Sequence, residues 1–133
     1  MSDNGILLGI REALAEVLDV PLGSIHPDDK VVEDLGADSL DLLDLTFHLE
    51  QRFKIPVSPR EAERRAKAAL GGKPLEVDGV YTPEALVELR KSLPDIPPGE
   101  LADGLTVAEL PRRFSVRTLA GLVERMLKEK HRG

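Results

Sequence analysis

The sequence contains no cysteine, and only 3% of its residues are aromatic. Without cysteine there can be no disulfides and no thiolate metal sites. With so few rings, the core must be built from Leu, Val, Ala and Ile, which pack most simply as helices. No apolar run approaches the ~18 residues that a membrane span needs. The opening Met1-Ser2-Asp3-Asn4 lacks the positive region of a signal peptide, so a soluble, cytoplasmic protein is expected. The three histidines, His26, His48 and His131, are scattered, and no motif places an acid–base pair. Nothing can be assigned as an active site, and an enzyme is not expected.

What is present is acidic, and unevenly so. The net charge is −6 over 133 residues. Residues 1–57 hold 12 Asp and Glu against 4 Lys and Arg, whereas residues 58–133 hold 12 against 14. An acidic surface disfavours nucleic acid and favours partners with basic patches. The length suits one small domain, which we place at residues 1–133.

A first helix is predicted from Asp3 or Asn4, either of which can cap it, to about Leu18. Ile6, Leu7, Ile10, Leu14, Val17 and Leu18 recur at helical spacing, Arg11, Glu12 and Glu16 face water, and Pro21 and Gly23 end the helix. The long connection that follows, residues 19–38, should plug Val20, Leu22, Ile25, Val31, Val32 and Leu35 into the core. His26 is read as a loop histidine. A second helix is expected from Ser39 to Phe53, after the turn signal Leu35-Gly36-Ala37. Its stripe Leu42, Leu45, Thr46, Leu49, Phe53 is assigned to the core. A second stripe, Leu40, Leu43 and Phe47, is edged by acids and is either a docking surface or more core. His48 is expected beside Asp41 and Asp44.

Ser39 stands where this second helix begins. Its oxygen can cap the helix by accepting from a free backbone N–H two or three residues on. The same position also suits a covalently attached phosphate, because a helix start carries about half a positive charge and unpaired N–H groups. Gly36 permits backbone angles that other residues resist. No neighbouring base would activate Ser39, which makes it a substrate of another enzyme and not a catalytic nucleophile. A calcium loop beginning at Asp34 fails on spacing: Gly36 and Ser39 occupy the third and sixth places, and Leu45 stands at the final glutamate position.

Pro56 forbids continuation of the second helix. Ser58-Pro59-Arg60-Glu61 reads as a capping box opening a helix to about Leu70, stopped by Gly71-Gly72. Leu75–Tyr81 alternates around Asp78-Gly79, a hairpin signal. Thr82-Pro83 opens a helix to about Leu93, with Leu86, Leu89 and Leu93 on one side. Pro94, Pro97, Pro98 and Gly99 form a break, and Thr106–Glu109 is a second capping box before a turn ended by Pro111. Ser115 caps a last helix with Val116, Leu119, Leu122, Val123, Met126 and Leu127 on one face, and Lys128 and Lys130 suit its C-terminus.

The run from Val32 to Leu45, centred on Asp38-Ser39-Leu40 within Gly36-Ala37-Asp38-Ser39-Leu40-Asp41, resembles the attachment motif of acyl carrier proteins. The resemblance extends over roughly residues 4–63 and resumes at 112–130. It implies an all-α, acyl-carrier-like helical bundle, with residues 58–113 as an inserted helical segment after the second main helix. It implies that Ser39 carries 4′-phosphopantetheine, received from coenzyme A through a phosphopantetheinyl transferase and holding acyl groups as thioesters. It implies partners that are acyl-transfer or lipid-synthesis enzymes with basic docking patches; a monomer is expected. Gln51 and Arg52 stand where ordinary fatty-acid carriers have acids. With the insertion, which could cover the chain-binding space, dock partners or only stabilise the fold, they suggest a specialised carrier, for example one loading acyl chains onto lipid A. A peptidyl carrier and an unmodified helical interaction module are the alternatives. Acids at Asp38, Asp41 and Asp44 favour the acyl type over the former, and the intact Asp38-Ser39-Leu40 disfavours the latter.

Overall fold

Helix α1 (Asp3–Leu18) buries Ile6, Ile10, Ala13 and Leu14 on the face that the apolar spacing marks out. The structure, a computed structural model, describes residues 3–57 and 59–132; of residues 3, 4, 59, 131 and 132 it describes the backbone alone. The capping roles expected of Asp3, Asn4 and Ser58 therefore lie outside what is described. The chain divides into two compact units, Met1–Val57 with Phe114–Gly133 and Ser58–Arg113.

In the first unit α1 packs on both α2 (Ser39–Phe53) and α5 (Val116–Arg132). It ends three residues before Pro21. Asp19 takes a left-handed conformation (φ 55°), and the Val20 N–H donates back to the Ala15 carbonyl at 3.1 Å. Gly9 lets the first two helices approach. A Cβ there would sit 2.8 Å from Phe53 Cζ and 3.0 Å from Arg52 Nε. Beside this crossing Arg52 pairs with Glu12, and His48 Nδ1 lies 4.0 Å from Glu16 Oε2. His48, expected on the polar face near Asp41 and Asp44, thus also lies beside Glu16 of α1.

The connection between α1 and α2 is held down more by hydrogen bonds than by apolar plugs. Ile25 and Val31 are buried, but Leu22, expected in the core, is exposed in a single 3₁₀ turn, Leu22–Ser24. Arg11, expected in water, explains this. Its guanidinium donates to the Ile25 carbonyl (2.9 Å) and the Leu22 carbonyl (3.1 Å), fixing the turn by its backbone. Farther along, Lys30 and Ser115 form an antiparallel bridge. The Val31 N–H donates to the Phe114 carbonyl (3.0 Å), and the N–H groups of Val116 and Arg117 donate to Asp29 (2.9 Å) and Pro27 (2.8 Å). Arg117 also pairs with Asp28 at 3.0 Å. Ser115 caps α5 as expected, its Oγ accepting from the Thr118 N–H at 3.1 Å. Val116, Leu119, Leu122, Val123 and Met126 of α5 are buried, so the 3.6-residue period was a sound guide.

The second unit packs α3 (Pro59–Ala69) on α4 (Pro83–Ser92). Gly71 and Gly72 stop α3 at φ values of 58° and 100°. A two-residue turn with positive φ at Asp78 and Gly79 joins β1 (Glu76–Val77) to β2 (Val80–Tyr81), as the Asp-Gly pair predicts. β2 gains a further partner: Val80 bridges Thr106, and the Val107 N–H donates to the Gly79 carbonyl at 2.9 Å. Thr82 caps α4 through the Ala85 N–H. The Thr106–Glu109 capping box forms, and its two hydrogen bonds from Thr106 hold the Glu109 carboxyl below its ordinary pKa. Pro111 does not end that turn. It sits inside a 3₁₀ stretch, Val107–Arg113, where no i→i+4 ladder is present for it to break. Two two-residue strands aside, the regular structure of the described residues is helical, and the all-α expectation holds.

Candidate functional site

The turn leading into α2 is fixed at several points. The Lys30 N–H donates to Asp34 Oδ2 (2.7 Å), the Asp34 and Leu35 N–H groups return to the Lys30 carbonyl (2.9 and 3.1 Å), and the Ala37 N–H reaches the Val31 carbonyl (3.1 Å). Gly36 holds φ at 76°, the left-handed region that favours glycine. Ala37 is buried beneath the turn. Residues 38 and 39 therefore leave the turn in one direction only.

The cap of α2 is Asp38, not Ser39. Asp38 Oδ1 accepts from the Asp41 N–H at 2.9 Å, and its own N–H donates to Asp41 Oδ2 at 3.0 Å. Serine and aspartate cap about equally well, so the choice lies in the residue three positions on. After Asp38 that residue is Asp41, which completes a reciprocal pair; after Ser39 it is Leu42, which cannot. Ser39 becomes the first residue of the helix. Its side chain is exposed and makes no hydrogen bond among the described residues. The serine is released from structural duty because its neighbour performs it.

This arrangement fits a phosphodiester on Ser39 Oγ. The N–H groups of Ser39 and Leu40 have no protein partner among the described residues and lie at the positive end of the helix dipole. The carboxylates of Asp38 and Asp41 oppose a phosphate, but they are solvated and their repulsion is screened. A diester carries one negative charge, which the positive helix start attracts. No base is poised on Ser39: His48 lies nine residues along α2, roughly 13 Å by the rise of a helix, and leans on Glu16.

Along α2, Leu45, Leu49 and Phe53 are buried, while Leu40, Leu43 and Phe47 are 72%, 66% and 62% exposed. The acids at positions 38 and 44 are exposed beside them. Arg52, which the sequence marked as a departure on this surface, is drawn to Glu12. Neither Asp38's capping role nor this tether was assigned from sequence; the Asp38/Asp41 spacing was the available signal for the first.

Residues 9–65 match the model of the phosphopantetheine attachment site family. The acyl carrier protein of Akkermansia muciniphila is 41% identical over 69 residues, 52% of this chain and 86% of that protein. Those of Wolinella succinogenes and Campylobacter hominis are 44% and 42% identical, covering 43% and 41% of this chain and 75% and 70% of theirs. No solved structure matches. The group such a site holds is a covalent 4′-phosphopantetheine, and a protein of this kind carries and does not catalyse. On the strength of the turn, the freed serine and these relatives, the chain belongs to the acyl carrier protein family.

Proposed function

We propose that Ser39 is the attachment residue and that the chain presents acyl intermediates to the enzymes of a fatty-acid or specialised lipid pathway, of which acylation of lipid A is one example. The observation that supports this most is the reciprocal Asp38–Asp41 cap, which leaves an exposed hydroxyl at the start of α2. Ser39 Oγ would form the ester to phosphate, and the free N–H groups of Ser39 and Leu40 would face its oxygens. When bound, the group supplies a terminal thiol on which acyl chains are held as thioesters. In this reading residues 58–113 are an insertion within a single carrier domain, and Leu40, Leu43 and Phe47, with the neighbouring acids, receive partner enzymes bearing basic patches.

The test is a mass spectrum. The full chain, incubated with coenzyme A and a phosphopantetheinyl transferase of broad specificity, should gain one phosphopantetheine, and Ser39→Ala should gain none. An unmodified wild-type mass would refute the proposal, as would modification that survives the substitution. Native mass spectrometry of the protein from its own cell would then identify the cargo.

A further inference from the structure

The second unit carries an open cleft of about 870 Å³, lined by exposed and half-buried residues. Pro74, Leu75 and Val107 give it apolar lining, and Lys67, Lys73, Glu63 and Glu76 line it as well. We propose that this cleft binds a small amphipathic monoanion, an apolar body ending in a carboxylate. The site is separate from Ser39, and the proposal does not rest on its modification.

Three observations lead there. The first is that the walls are built before any ligand arrives. Thr82 Oγ1 donates to the Pro74 carbonyl (2.9 Å), the Thr82 N–H donates to the Leu75 carbonyl (3.1 Å), and the Val107 N–H donates to the Gly79 carbonyl (2.9 Å). A preformed wall loses little entropy on binding. The second is where hydrogen-bonding capacity is left over. Glu63 Oε1 already accepts from the buried Tyr81 hydroxyl at 2.6 Å, and Glu76 accepts from the Gly79 N–H. The ammonium groups of Lys67 and Lys73 have no partner among the described residues. The donors that no protein group engages are these two exposed ammonium groups, so a ligand that pairs with them brings acceptors. The third is charge. The two glutamates offset the two lysines, so there is no positive excess to draw a polyanion such as a nucleotide. The apolar lining then selects a hydrocarbon body over a bare inorganic anion.

Octanoate is the probe. Added to the ¹⁵N-labelled full chain, it should shift the amides of Gly72, Lys73, Leu75 and Gly79, with a dissociation constant on the order of 1 mM for a ligand of about ten heavy atoms. Octanol, which lacks the charge, should need about tenfold more, and ATP should leave these amides unmoved. The exposed pair Lys67→Gln and Lys73→Gln, with a dispersed spectrum as the control for folding, should weaken octanoate about fivefold or more. The proposal is overturned if octanoate moves none of these amides or moves only those of the first unit. It is equally overturned if octanol matches octanoate, if ATP binds there, or if the double variant binds as well as the wild type.

Discussion

Asp38 and Ser39 are adjacent, both are good capping residues, and only one of them caps α2. Replacing each by alanine therefore separates structure from function. Asp38→Ala removes the acceptor for the Asp41 N–H and the reason for Asp41 to fold back on the residue-38 N–H. Loss of a cap costs about 1 kcal/mol, with a ceiling near 2 kcal/mol where the box is reciprocal. Ser39→Ala removes no hydrogen bond and places a better helix former at the first helical position, so it should be neutral or stabilise by a few tenths of a kcal/mol. The measurement is urea unfolding of the unmodified chain followed by far-ultraviolet circular dichroism. With a denaturant slope of about 2 kcal/mol/M, Asp38→Ala should lower the midpoint by about 0.5 M and Ser39→Ala should leave it unchanged. Asp38→Asn, which keeps an acceptor oxygen, should recover most of the loss. The reasoning is refuted if Ser39→Ala destabilises as much as Asp38→Ala, because the serine would then be doing the capping.

Gly9→Ala sets a helix-propensity gain of about 1 kcal/mol against overpacking of about 1–3 kcal/mol at the buried Phe53 ring; a net loss is expected, and a more stable variant in urea unfolding would contradict the close approach. Tyr81 is the sole tyrosine, and burial, then its hydrogen bond to Glu63, raises its pKa well above the ordinary value. Its neutral form is favoured in the fold, so that contribution is complete below about pH 10 and is lost as pH rises beyond it. Phenolate absorbance should therefore stay low past pH 10 and then appear together with loss of helix; an ordinary titration in the folded chain would contradict the burial. Phe47→Ala should change stability by no more than about 0.5 kcal/mol, while lowering the transferase's kcat/KM about tenfold if the residue anchors docking; equal kinetics would remove the α2 stripe from the interface.

What could be read from sequence was what is local. Ile6, Ile10 and Leu14, or Leu119, Leu122 and Met126, announce their buried faces by spacing alone. Asp78-Gly79 announces its turn because those angles suit few other pairs. The start of α2 at Ser39 was legible, and its cap to within one residue. What could not be read depends on a second element. Arg11 looked like a solvated charge until the Leu22–Ile25 carbonyls lay beside it. His48 has acids at helical spacing on its own helix, yet Glu16 of α1 is where its ring leans. Gly9 gives no sign in sequence that Phe53 will press on it. The cleft of the second unit likewise joins α3 to the hairpin and to Val107, three segments with nothing in common in the sequence.

The stitch between residues 27–31 and 114–117 has a consequence for how the chain is made. The first unit recruits its closing helix from beyond Arg113, so during synthesis it must wait, half assembled, while the second unit emerges. That second unit is one continuous stretch, Ser58–Arg113, so the contacts within it need no later part of the chain. Once settled, it has few remaining conformations to restrain, and the closure entropy for bringing α5 back to α1 falls accordingly. A folded stretch 58–113 thus leaves less disorder to lose when the first unit closes than a flexible loop of that length would.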